Sequence, residues 1–136
     1  MPTVNRFEEL DCWQVARELS RRVYGISRSG ALARDFGLRD QMRRSAVSIL
    51  SNISEGFESR TKTLFIDFLG RAKGSAGELR AQLYVALDAG YVEPTVFSEL
   101  VEMLKRCSGQ LNHLMSYLRD DLAASKAKED EAPYVP

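Results

Sequence analysis

Proline is almost missing from the body of this chain. Of four prolines, Pro2, Pro133 and Pro136 stand at the termini, and Pro94 is the one interruption between Thr3 and Ala132. Proline removes a backbone donor and clashes with the preceding turn, so its scarcity leaves long helices unbroken. Histidine is scarcer still. His113 stands alone, which excludes the paired Glu-x-x-His arrangement by which helical bundles hold two metal ions. Cysteine occurs twice, at Cys12 and Cys107, without the close spacing of a zinc site. Both fall where helix interiors are expected, and they read as free, reduced, buried thiols rather than a disulfide. No apolar run approaches the roughly 20 residues that span a bilayer, and the N-terminus lacks the apolar stretch of a signal peptide. The expectation is a cytoplasmic protein with no membrane partner. A surplus of positive charge is lacking too, with 19 basic and 19 acidic residues, which argues against a strongly basic nucleic-acid binder. The balance is uneven along the chain, because residues 1–80 carry 14 basic and 10 acidic side chains. That excess leaves room for a local basic face.

What is present is helical periodicity. The chain has 136 residues, enough for one domain with a proper core. From about Phe7 to Ser27, Leu10, Trp13, Ala16, Leu19, Val23 and Ile26 recur at steps of three and four, which marks one buried helical stripe. Ser27-Arg28-Ser29-Gly30 reads as a loop. Asp35 is placed to cap a second helix, about Phe36 to Glu58, with Leu38, Met42, Ser45, Ala46, Ile49, Ile53 and Gly56 inside. Ser59 or Thr61 can cap a third, about Lys62 to Ala89, and Gly90 suits the left-handed position that ends a helix. Pro94 fits a first helical turn. The fourth helix follows it to about Leu122, with Phe97, Leu104, Leu111 and Leu118 in one row and Val101, Ser108, Met115 and Leu122 beside it. Short connections make successive helices antiparallel, so the predicted fold is all-α, an up-down-up-down four-helix bundle over residues 1–124. Residues 125–136 lose periodicity and are expected to form a disordered tail.

No constellation suggests catalysis, metal or cofactor chemistry. His113 sits among apolar neighbours as a bundle-flank residue, and no base accompanies a serine or cysteine in a nucleophile motif. Gly70, Gly74 and Gly77 lie inside a helical pattern, where close helix packing is their expected use rather than phosphate binding. The expectation is a protein that is not an enzyme.

Two polar features stand out. Ser45, Ser48, Asn52 and Glu55 follow at helical steps before Gly56, and line a polar edge beside the apolar stripe. They read either as a hydrogen-bond network that fixes helix register, with Glu55 paired to Arg44 or Arg71, or as a ligand or partner contact. A partly buried carboxylate needs such a partner, because desolvation is costly. The second feature is arginine. Arg39 and Arg43 are one turn apart with Arg44 adjacent, and Arg17 and Arg21 repeat the spacing with Arg22 adjacent. Facing the same side, the two rows would make a phosphate-binding patch. Facing solvent beside Glu18 and Asp40, they would make an ordinary salt-bridged surface.

The stretch Phe36-Gly-Leu-Arg-Asp-Gln-Met-Arg-Arg-Ser-Ala-Val-Ser-Ile-Leu-Ser-Asn-Ile-Ser-Glu-Gly56 resembles the signature of a small bacterial four-helix-bundle family encoded in intervening sequences of 23S ribosomal RNA genes. Phe68-Leu-Gly-Arg-Ala-Lys-Gly-Ser75, Glu78-Leu79, Gln82 to Tyr91 and the entry Phe7-Glu-Glu-Leu-Asp-Cys-Trp-Gln14 extend it over roughly residues 6–120. The resemblance implies a homopentamer without known catalysis. It also implies kinship with accessory proteins of diversity-generating retroelements, which bind nucleic acid and a reverse transcriptase through basic surfaces. The neutral net charge departs from the basic members, and Leu50 and Ser54 depart from the motif. Apolar residues beyond the needs of one core, Val47, Leu50 and Phe57 with Tyr84, Val85 and Tyr91, point independently to an oligomer interface or else to a wide core stripe. The leading expectation is therefore an oligomeric bundle that binds RNA or DNA through arginines of its first two helices. The alternative is a protein-interaction or assembly module without a nucleic-acid role.

Overall fold

The computed structural model describes residues 4–131. A single 3-10 turn, Phe7–Glu9, leads into α1 (Asp11–Ile26), the short α2 (Gly30–Arg34), α3 (Phe36–Phe57), α4 (Lys62–Asp88) and α5 (Pro94–Glu131). The four long helices form a closed ring, in which α3 packs on α4, α4 on α5, α5 on α1 and α1 on α3. This is the neighbour order of an antiparallel bundle with short links.

Side-chain caps start α3 and α4, and a glycine turn follows α4. Asp35 Oδ1 accepts from the Leu38 N–H at 3.2 Å and starts α3. Its Oδ2 accepts from the Tyr91 hydroxyl at 3.0 Å, so one carboxylate caps α3 and ties it to the α4–α5 connection. That carboxylate also raises the pKa of the Tyr91 phenol, chiefly through the hydrogen bond itself. Thr61 Oγ1 accepts from the Leu64 N–H at 3.1 Å and starts α4. Gly90 takes φ +75°, a left-handed conformation that only glycine adopts cheaply, and turns the chain toward α5.

The core runs the length of the bundle. Leu19, Met42, Ile49, Ile53, Leu69, Leu79, Leu83, Leu104 and Leu111 are all fully buried. On α5 the buried row Leu104, Leu111 and Leu118 is flanked by Leu100, Cys107 and Leu114 on one side and by Val101 and Met115 on the other, while Ser108 and Leu122 of the expected second row are only half-buried. Cys107 outranks Ser108 for the inner position, since a thiol is the more easily desolvated group.

Three expectations shift. Leu10 is extended (φ −72°, ψ 129°) and splits the first segment into the 3-10 turn and α1. It offers no side-chain cap, and the Gln14 amide reaches back to the Glu8 carbonyl at 3.0 Å to close the corner. The loop after α1 contains α2, whose Leu32 is buried. α5 runs on to Glu131 instead of ending near Leu122, so residues 125–131, expected to be disordered, are helical and exposed. Ala123, Ala124, Lys126, Ala127, Lys128 and Glu129 are good helix formers that extend a packed helix without packing themselves. Residues 132–136 lie outside the described residues.

Gly70, Gly74 and Gly77 do not serve close packing within the bundle. All three are exposed, and a Cβ built on any of them would meet nothing within 4 Å. Each should therefore become more stable as alanine, by about 0.5–1 kcal/mol in chemical denaturation. A loss of stability or of assembly would instead show that another surface covers this face of α4.

Both cysteines are free and buried, and the Cys107 thiol lies 3.7 Å from the Cys12 carbonyl oxygen. Burial pushes the Cys12 thiol up from 9.0 to about 11 and that of Cys107 up to about 12. In the unfolded chain these thiols ionise near pH 8.5–9. Between that pH and about 11 the unfolded state holds fewer protons than the folded one, so stability falls as pH rises through this window. Denaturation midpoints measured from pH 8 upward should show that fall, and a Cys12→Ala/Cys107→Ala variant should show less of it.

Candidate nucleic-acid interface

The six arginines of the two rows have different fates. Arg17, midway along α1, lies over the Trp13 ring at 5.8 Å. Arg22 reaches across to α5 and pairs with Glu99 at 2.7 Å. Arg39 is held at home, donating to the Ala33 carbonyl (3.1 Å) and to Asp40 (2.9 Å) while stacking on Phe36. The other three converge. Arg21, Arg43 and Arg44 gather around Tyr24, joined by Arg28 from the loop after α1.

Tyr24 organises this face. Its ring is 38% exposed and stands between two surface depressions. One, about 450 Å³, is lined by Ser20, Arg21, Tyr24 and Arg28. The other, about 390 Å³, is lined by Tyr24, Asp40, Arg43, Arg44 and Val47. Arg43 packs its guanidinium over the Tyr24 ring at 4.6 Å, and it donates to the Ser27 hydroxyl (2.8 Å) and carbonyl (3.2 Å). Ser27 is fully buried, so this fork anchors the loop that presents Arg28.

Two of the acidic residues nearby are already engaged, and a third, Glu78, lines a further depression beside Arg44. Asp40 pairs with Arg39, and Glu18 pairs with Arg21 at 3.5 Å. Arg28 and Arg44 make no side-chain hydrogen bond or ion pair among the described residues and are exposed. The result is a positive face with a rigid aromatic ring at its centre, able to hold phosphate oxygens by guanidinium forks and to stack a base. Neither Arg28 nor Tyr24 stands out in the sequence. Arg28 sits in a loop outside any helical row, although Tyr24 follows Arg21 at one helical step.

The polar edge of α3 is a hydrogen-bonded seam with α4. Ser48 Oγ lies 2.8 Å from Ser75 Oγ, and Asn52 Nδ2 donates to the Ser48 carbonyl (2.8 Å) and hydroxyl (3.0 Å). Ser45 is buried beside them. Glu55 is not part of the seam. It is exposed and pairs with neither Arg44 nor Arg71, and Arg71 bonds Asp67 instead. A carboxylate that stays in water needs no partner. Gly56 is buried against α4, where a Cβ would come within 2.8 Å of Phe68 Cβ. Ser54, an odd residue for the motif, accepts from Trp13 Nε1 at 2.9 Å and so locks α1 to α3.

The apolar residues outside the inner stripes also divide. Val47 (38%), Tyr84 (47%) and Val85 (55%) are exposed, and Tyr84 meets Phe97 edge-on. Leu50, Phe57 and Tyr91 are half-buried against the core of their own chain. Among the described residues, no three His, Cys, Asp or Glu side chains gather as a metal would require, and no helix is long and apolar enough to cross a membrane.

The chain resembles solved structures in shape, and weakly in sequence. One of them is a crystal structure of a protein of unknown function from the S23 ribosomal protein family of Bacteroides thetaiotaomicron VPI-5482. The two share 18% identity at a TM-score of 0.66, over 76% of this chain and 97% of that one. No curated protein matches. The sequence itself matches the 23S rRNA-intervening sequence proteins over residues 8–113, which takes in α1, the Tyr24 face, the α3–α4 seam and most of the buried stretch of α5. This chain therefore belongs to the 23S rRNA-intervening sequence protein family.

Proposed function

We propose that this chain is a non-enzymatic bundle that assembles with copies of itself and binds RNA or DNA through the face centred on Tyr24. The observation that carries this reading is the convergence of Arg21, Arg28, Arg43 and Arg44 on one exposed ring, with Arg28 and Arg44 exposed and making no side-chain hydrogen bond or ion pair among the described residues. Net neutrality does not oppose it, because phosphate contacts act over about a Debye length of 8–10 Å and sense the local field. Copies arranged in a ring would repeat the patch and turn modest single-site affinity into avidity.

Charge reversal tests the surface. An Arg28→Glu/Arg44→Glu variant should bind labelled structured RNA or duplex DNA at least about tenfold more weakly at low salt, with unchanged helicity. Arg17→Glu, one turn before Arg21 on α1, should weaken binding by less than the double variant does. Equal binding by the double variant would exclude the Tyr24 face.

Assembly, the part of the reading that a pure interaction module would share, is supported by the exposed apolar residues of α4. Val85 is the cleaner probe of that face, because Leu50 leans on its own core and an aspartate there would disturb the fold. Val85→Glu should lower the sedimenting mass while leaving the helical signal intact. A variant that sediments as wild type removes this part of α4 from the interface.

A further inference from the structure

About 20 Å along α1 from Tyr24, a separate hollow of about 550 Å³ opens between the first residues of α1 and the middle of α5. Its volume lies within the range of small-molecule sites. The floor is apolar, made by Leu10, Cys12 and Leu114, each more than nine-tenths buried. The walls carry opposite charges, Asp11 from α1 and Arg106 from α5. These two do not pair with each other, and neither side chain has a hydrogen-bond or ion-pair partner among the described residues.

Two further details concern the same hollow. Gln110 lines the hollow through the rest of its side chain, because its Oε1 is closed off from solvent and has no hydrogen-bond partner among the described residues. Gly109 lies deep inside α5, where glycine is less favourable than alanine. A Cβ at Gly109 would meet nothing within 4 Å, so close packing does not call for glycine. A larger side chain would instead fill part of the wall that Gly109 lines.

We propose that this hollow binds a free α-amino acid with a large apolar or aromatic side chain. The side chain lies on the Leu10–Cys12–Leu114 floor. The ammonium donates to Asp11, and the carboxylate meets the Arg106 guanidinium. A molecule with the same apolar body but one charge satisfies only one wall and leaves the other unpaired.

L-phenylalanine is the probe, with 3-phenylpropionate and phenethylamine as analogues that lack the ammonium and the carboxylate. Titration of the full chain, followed by amide chemical shifts and by calorimetry, should give saturable shifts at the Gly109 amide and at the Gln110 side chain. Each analogue should bind at least about tenfold more weakly. Gly109→Leu should abolish binding while the helical signal is kept. The absence of saturable shifts at millimolar phenylalanine would overturn the proposal. So would equal binding by either analogue, or undiminished binding by Gly109→Leu.

Discussion

Replacing Gly56 with alanine should lower the unfolding free energy by about 1–3 kcal/mol, the usual cost of forcing one extra methyl group into a packed core. Gly56 sits in the last turn of α3, where its backbone lies against α4. The added Cβ would stand 2.8 Å from Phe68 Cβ, 2.9 Å from Phe65 Cδ1 and 3.3 Å from the Phe65 carbonyl oxygen. The Phe65 ring can tilt away. Phe68 Cβ and the carbonyl cannot, since both are fixed to the α4 backbone, so the helix itself has to move. That movement would pull at the Ser48–Ser75 hydrogen bond two turns up the same seam. Alanine is otherwise the better helix former, by about 0.8–1.0 kcal/mol, which makes the sign of the effect informative. Urea denaturation would measure it, with Gly74→Ala as the comparison on the open face of the same pair of helices. Two variants of identical chemistry should then move stability in opposite directions.

Arg43→Met should cost about 1–3 kcal/mol, because it removes the donors that satisfy a buried group. Both the hydroxyl and the carbonyl of Ser27 accept from this one guanidinium, and Ser27 is fully buried. Methionine keeps the length of the side chain and its packing on Tyr24, but supplies no hydrogen. Lysine should rescue only in part, since a single ammonium cannot reproduce a planar fork that bonds two acceptors while lying on a ring. The same change should weaken nucleic-acid binding beyond the loss of one charge, because Arg43 sets the position of Tyr24 and of the loop bearing Arg28. Hydrogen exchange would separate the two effects. The amides of residues 27–35 should lose protection, whereas those in the middle of α4 should not.

The helices were legible in the sequence because their signals are local. Asp35, Thr61, Gly90 and Pro94 act on backbone groups within a few residues, and the structure uses all four at helix ends. Stripes at steps of three and four were legible for the same reason. The extension of α5 to Glu131 was missed because loss of apolar periodicity signals loss of packing, and helix propensity can persist without it. The arginines were legible as a set but not as a site. A row on a helix fixes where side chains begin, and a long flexible arginine ends wherever a partner lies. Arg22 finds Glu99 across the bundle, Arg39 finds the Ala33 carbonyl, and Arg43 turns inward to Ser27. These partners lie six to 77 positions away in the chain, and helical spacing carries no information at such separations. Glu55 was misplaced by the opposite error, since its spacing suits the polar edge but its carboxylate is free to remain in solvent.

The central claim is that phosphates are held at the Tyr24 face, and the salt dependence of binding tests it most directly. Affinity of the unaltered protein for a short labelled duplex would be measured from about 50 to 200 mM salt, together with that of Arg28→Glu/Arg44→Glu. Four arginines that each neutralise one phosphate predict a slope of log affinity against log salt of about −3.6 per bound patch, visibly reduced in the double variant. A protein that does not bind at the lowest salt, or binds with a slope near zero, would contradict the account.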